Sequence, residues 1–126
     1  MRTIYLTAAA LLLVPAAASA QTMNADVFHK RANALMKKGP MALMHRGEIK
    51  ALMNEGKAAG ERARASRLAA VQSGTNPRYC PPEGKQSMGS TEFMKRLESI
   101  PAAERQKIDM TEATIRVMAA KYPCRG

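Results

Sequence analysis

The sequence predicts an all-α fold: a small domain of four or five helices stapled by one disulfide. Apolar residues recur at helical spacing in every long segment. No stretch alternates with the two-residue period of a strand, and no Asn-Gly or Asp-Gly hairpin signal occurs. The only two cysteines, Cys80 and Cys124, are too far apart for a redox CxxC site, and with His29 and His45 scattered elsewhere they make no zinc signature.

The first helix is expected from about 25 to 38. Asn24 is placed to cap it, Asp26 sits in its first turn, and Phe28, Ala32, Leu35 and Met36 recur on one face before the stop signal Gly39-Pro40. Pro40 opens a second helical piece holding Leu43 and Met44, and Gly47 bends the chain into the longest periodic segment, about 48 to 72. In that segment Ile49, Leu52, Met53, Gly56, Gly60 and Ala63 form a stripe about 100° wide, flanked by Lys50, Lys57 and Arg64 at seven-residue spacing. A mid-helix glycine costs about 1 kcal/mol relative to alanine, so Gly56 and Gly60 predict close approach by another backbone. Arg67 in the centre of the same stripe predicts that the last two turns project beyond the core.

Ser73-Gly74-Thr75-Asn76-Pro77 breaks that helix, and Cys80-Pro81-Pro82-Glu83-Gly84 reads as an extended turn, because each proline bars helix for its predecessor. Ser90 is the expected cap of a third helix with Phe93, Leu97 and Ile100 on one face. A short turn follows from Pro101 to Lys107. Asp109-Met110-Thr111-Glu112 resembles a capping box opening a final helix whose buried face would include Met110, Thr114, Val117 and Met118.

The first 20 residues read as a cleavable signal peptide. Arg2 precedes an apolar run from Ile4 to Val14, and Ala16-Ala17-Ala18-Ser19-Ala20 offers small residues at the cleavage point. The run is shorter than the roughly 20 residues a membrane span needs, and no later segment approaches that length. Removing 20 of 126 residues leaves one helical domain, 21–126, in the periplasm or outside the cell. An oxidising compartment lets Cys80 and Cys124 pair, closing a loop of about 45 residues for which chain entropy predicts about 4 kcal/mol of stabilisation.

The formal charge of +10 becomes +9 once Arg2 is removed, which favours an acidic exported protein, anionic lipid or cell-wall polymers as partners, unless the dispersed charge serves solubility alone; nucleic acid is disfavoured by the address. The mature chain has no Trp and four aromatics, so its apolar side chains are mostly Met, Leu and Ala, which pack adaptably. No nucleophile stands beside a base, no carboxylate pair suggests a pocket, and neither histidine lies in a catalytic motif, so no enzyme, cofactor or metal is expected. Met41-Ala42-Leu43-Met44-His45 is the one stretch with ligands suited to copper(I), but Met41 and Met44 at i,i+3 read more simply as core or groove residues. Glu55 and Glu61 read as surface i,i+4 partners of neighbouring cations.

Cys80-Pro81-Pro82, a polar loop, the amphipathic helix around Phe93 to Leu97, Ile100-Pro101 and the closing Tyr122-Pro123-Cys124 resemble the Rap/Tai family of type VI secretion immunity proteins. The resemblance covers about residues 78 to 124. It implies a periplasmic protein that blocks a wall-degrading amidase toxin without catalysis of its own. The alternative is a general envelope binding or chaperone-like helical protein with no toxin partner. The expected binding surface joins Glu83 and Lys85, on the proline-stiffened loop, to Arg62, Arg64 and Arg67 at the end of the long helix.

Overall fold

The computed structural model describes residues 22–84 and 87–125, and these form helices joined by loops. The expected signal peptide lies outside the described residues, as does Lys85. Helix α1 spans Ala25–Lys37, a 3₁₀ segment covers Gly39–Met44, and α2 runs for 27 residues over Arg46–Gln72. After a long loop come α3 (Ser90–Glu98), the single turn α4 (Ala102–Arg105) and α5 (Met110–Lys121).

Helix α1 starts where Asn24 Oδ1 accepts the Asp26 and Val27 N–H groups, satisfying two donors that a helix start leaves free. The same asparagine sits beside the start of α5. Ala25 N–H donates to Ile108 O at 3.0 Å, Met110 N–H donates to Met23 O at 2.8 Å, and Asn24 Nδ2 donates to Gln106 O at 2.9 Å. Two helix starts are thereby laced side by side. Gly39 ends α1 with φ +54°, a left-handed conformation that costs glycine nothing.

The core lies where α1, α3 and α5 meet α2. Phe28, Ala32 and Leu35 of α1 pack with Leu52 and Ala59 of α2, Leu97 of α3, and Met110 and Val117 of α5. Phe28 and Phe93 meet edge to face with ring centres 6.3 Å apart. A second, smaller cluster of Ala63, Tyr79 and Ile115 holds the long loop against α2 and α5. The Cys80–Cys124 disulfide lies beside it, and Cys80 N–H donates to Tyr122 O at 2.8 Å. The staple therefore ties the loop to the chain leaving α5.

Several local expectations are corrected. Gly89 occupies the cap position of α3 and Ser90 is already helical, with no side-chain cap. Asp109 does accept Glu112 N–H at 2.8 Å, but the Glu112 carboxylate is held by Arg78 and Arg116 and so does not complete a capping box. Glu55 is no surface i,i+4 partner: it accepts Met23 N–H at 3.0 Å and pairs with Arg62 at 3.4 Å.

The predicted face of α2 is also rotated. It packs chiefly on α5, through Leu52, Ala59 and Ala63, a stripe turned about 50° from the one centred on the glycines. A Cβ built on Gly56 or Gly60 meets nothing within 4 Å, so no backbone approaches either residue. The alanines make the close contact and leave the glycines beside open space. Gly60→Ala is therefore expected to stabilise the protein, by about 1 kcal/mol through helix propensity, and urea unfolding should show the gain. A loss of stability would mean that the Gly60 face is packed after all.

Ionised pairs lace the helices together and set an acid limit on stability. Lys30, and then Arg105, hold the Asp26 carboxyl below its ordinary range despite its burial. Glu48 is lowered by Arg31, Glu92 by Lys121 and Arg96, and Glu112 by Arg78 and Arg116. Each has a folded pKa below its unfolded value, 3.8 for Asp and 4.5 for Glu, so the unfolded chain takes up protons first as pH falls. Burial also lowers the His29 pKa, so the unfolded imidazole protonates near 6.5 while the folded one stays neutral. The melting temperature should hold steady between about pH 7 and 10, above which the Lys121 pair with Glu92 is lost, ease below about 6.5 and fall steeply below about 4.5. Identical melting at pH 7 and pH 3 would contradict this.

Candidate functional site

Of the residues expected to form one partner surface, Lys85 lies outside the described residues, and Arg62 stands on a different side of α2 from Arg64 and Arg67. Glu83 is exposed on the loop. Arg62 is half-buried: its Nε donates to Thr111 Oγ1 at 2.7 Å and its Nη2 lies 3.4 Å from Glu55 Oε1, bonding α2 to the start of α5. Arg67 lies over the Tyr79 ring, its guanidinium carbon 5.5 Å from the ring centre, so it covers the small cluster. The turns beyond it are largely exposed, as expected. Arg64 is exposed. At 100° per residue, Arg64 and Arg67 stand about 160° and 140° around the helix from Arg62, which is why three neighbouring arginines do different jobs.

A concavity lies elsewhere. An apolar groove of about 800 Å³ opens between α1, the 3₁₀ segment, α2 and the start of α3. Its floor is Phe28, Ala32, Leu35, Leu52 and Phe93. Leu35 and Leu52 belong to the main core, so the floor is rigid. The rim is soft. Met36 is 57% exposed and Met53 71% exposed, and Met88 closes the side nearest α3.

The i,i+3 spacing of Met41 and Met44 predicts core or groove residues. The 3₁₀ segment instead carries Met41, Leu43 and Met44 exposed, while Gly39 and Ala42 face the groove. A tight turn of only six residues cannot bury both of its sides.

One charged side chain, Lys57, lines the groove. It belongs to a row. Arg46, Lys50, Lys57 and Arg64 fall within about 40° of one another on α2, next to Met53. Lys50 and Lys57 flank the groove, whose α2 wall runs from Ile49 to Lys57, and Arg46 and Arg64 continue the row past its two ends. Among the described residues none of the four makes an ion pair, whereas Arg31 and Glu48 are locked at 2.7 Å on the far side of α2. Glu61, the one carboxylate of α2 on that side, is exposed beside the row, between Lys57 and Arg64, and makes no ion pair among the described residues.

A smaller hollow of about 390 Å³ lies between α1 and α4. Most of its polar groups are paired with one another: Arg105 Nε is 3.2 Å from Asp26 Oδ1, and Asn33 Nδ2 is 3.1 Å from His29 Nε2. That hollow is a structural network. Among the described residues no group of three or more His, Cys, Asp or Glu is placed to hold a metal ion, and no helix is long and apolar enough to cross a membrane.

No family model, curated protein or solved structure matches the chain. The groove itself was only half legible in the sequence. The cationic row at seven-residue spacing is visible there, but which neighbour it runs beside depends on the rotation of α2.

Proposed function

We propose that this chain is an exported binding protein that works without catalysis, and that its binding face is the groove. The exposed methionines at the mouth of a rigid apolar floor carry this reading. Unbranched thioether side chains repack around an incoming apolar surface at little cost, and an apolar concavity left open in a small domain marks an interaction site. The leader-like first 20 residues and the disulfide support an oxidising, extracytoplasmic address. The unpaired cationic row supports an acidic partner protein.

In this proposal the partner is a wall-degrading amidase toxin, the target that the Rap/Tai resemblance of residues 78–124 implies. The test compares mature wild type with the Met36→Glu Met53→Glu variant, both at exposed positions, against an amidase encoded beside its gene. Wild type is expected to bind and inhibit the amidase, and the variant to lose at least tenfold in both. An amidase fully active in excess wild type overturns the immunity role. A variant that binds as wild type does overturns the groove as the binding face.

The methionine rim also favours the second reading, a general envelope binding or chaperone-like role, because such a rim accommodates many apolar segments. That role predicts Met36- and Met53-dependent binding of several unrelated unfolded envelope proteins with no enzyme inhibited.

A further inference from the structure

Resting on the groove as the binding face, we infer that its occupant is an amphipathic helix bearing carboxylates along one flank. The shape of the cationic row is the observation that selects it. Arg46, Lys50, Lys57 and Arg64 are spaced by four, seven and seven residues, and the row is about 27 Å long at 1.5 Å per residue. A helix laid along α2 repeats its own flank every seven residues. Glutamates at that spacing then face Lys50, Lys57 and Arg64 in turn, as flanking charges do in paired helices, while apolar residues on its inner face drop between Met36 and Met53 onto Leu35, Leu52 and Phe93. About five turns of helix would fill the row.

Other occupants fit less well. A fatty acid or lipid offers one anionic head, which calls for cations gathered at one end rather than spread along the edge. Nucleic acid offers a row of charges but nothing for an apolar floor. A second copy of this chain would bring another strongly basic surface to a basic edge.

The experiment uses the mature chain and synthetic 18-residue helical peptides, read by fluorescence anisotropy. One peptide carries leucines on its inner face and glutamates at seven-residue spacing on the flank; two others replace those glutamates with glutamine or lysine. The glutamate peptide is expected to bind, to weaken as salt rises, and to bind at least tenfold more tightly than the glutamine peptide. Lys50→Glu Lys57→Glu, at exposed or rim positions whose melting serves as the folding control, should lose at least tenfold for the glutamate peptide and gain the lysine peptide. Equal binding of glutamate and glutamine peptides overturns the inference. So does binding of palmitate or phosphatidylglycerol vesicles with no peptide bound. If no peptide binds while an amidase or envelope protein is still held in a Met36- and Met53-dependent way, the helical occupant is wrong and the binding function stands. If Met36→Glu Met53→Glu leaves protein binding intact, the groove reading itself has failed.

Discussion

Cys80→Ser is expected to lower the melting temperature by about 20 °C while leaving most of the helical circular dichroism in place. The bridge closes a loop with a sequence separation of 44 residues, and chain entropy assigns such a closure about 4 kcal/mol, a large share of the stability of a domain this size. The structure shows what the bridge holds. Tyr79 is buried between Ala63 and Ile115 directly before Cys80, and Arg67 lies over its ring. Release should loosen that cluster and the loop first, because the main core around Leu97 and Met110 has no part in it. Peptide binding at the groove should therefore survive at temperatures where the variant is still folded. Both cysteines are exposed, so a reductant should reach the bridge in the native protein and yield two thiols per chain. Melting unchanged by reduction would show that the loop is held by its packing alone.

Arg105→Met is expected to lower the melting temperature by about 15 °C, a comparably large effect from a residue the sequence does not single out. Arg105 is buried in the one-turn helix α4, where its Nε meets Asp26 Oδ1 and its Nη1 donates to the carbonyls of Ile100 and Glu98. Methionine keeps the stem but strands two carbonyls and leaves the buried Asp26 carboxylate with Lys30 as its remaining ion-pair partner. Breaking a buried pair from one side is costly because the partner charge stays behind. The double variant Asp26→Asn Arg105→Met should recover part of the loss, since it removes that stranded charge. Circular dichroism melts of the two single variants and the double measure the coupling. Additive losses would mean that the pair is not linked.

Much of the fold was legible because its signals are local. Asn24 and Asp109 cap helices from their own side chains, Gly39 and Gly74 stop helices with positive φ, and prolines keep the loop after Tyr79 out of helix. The pairing of Cys80 with Cys124 follows from there being two cysteines in a chain whose first 20 residues read as an export signal. The caps, stops and prolines depend on a residue and its near neighbours, so a string of letters contains them, and two cysteines leave one possible pairing within the chain.

Tertiary packing decided the rest. Helical spacing shows that α2 has an apolar side, but Ala59 and Ala63 can be buried only when α5 comes close, and that contact turned the glycines and Met53 outward. The same turn placed Lys57 on the groove and its cationic row along the edge, and it spent Arg62 and Arg67 on internal contacts. Arg105 and Asp26 lie 79 residues apart, and nothing local to either announces the other. Capping and stop signals are short-range chemistry, whereas which side of a helix is buried, and which charges are left for a partner, is settled only by the helix that packs against it.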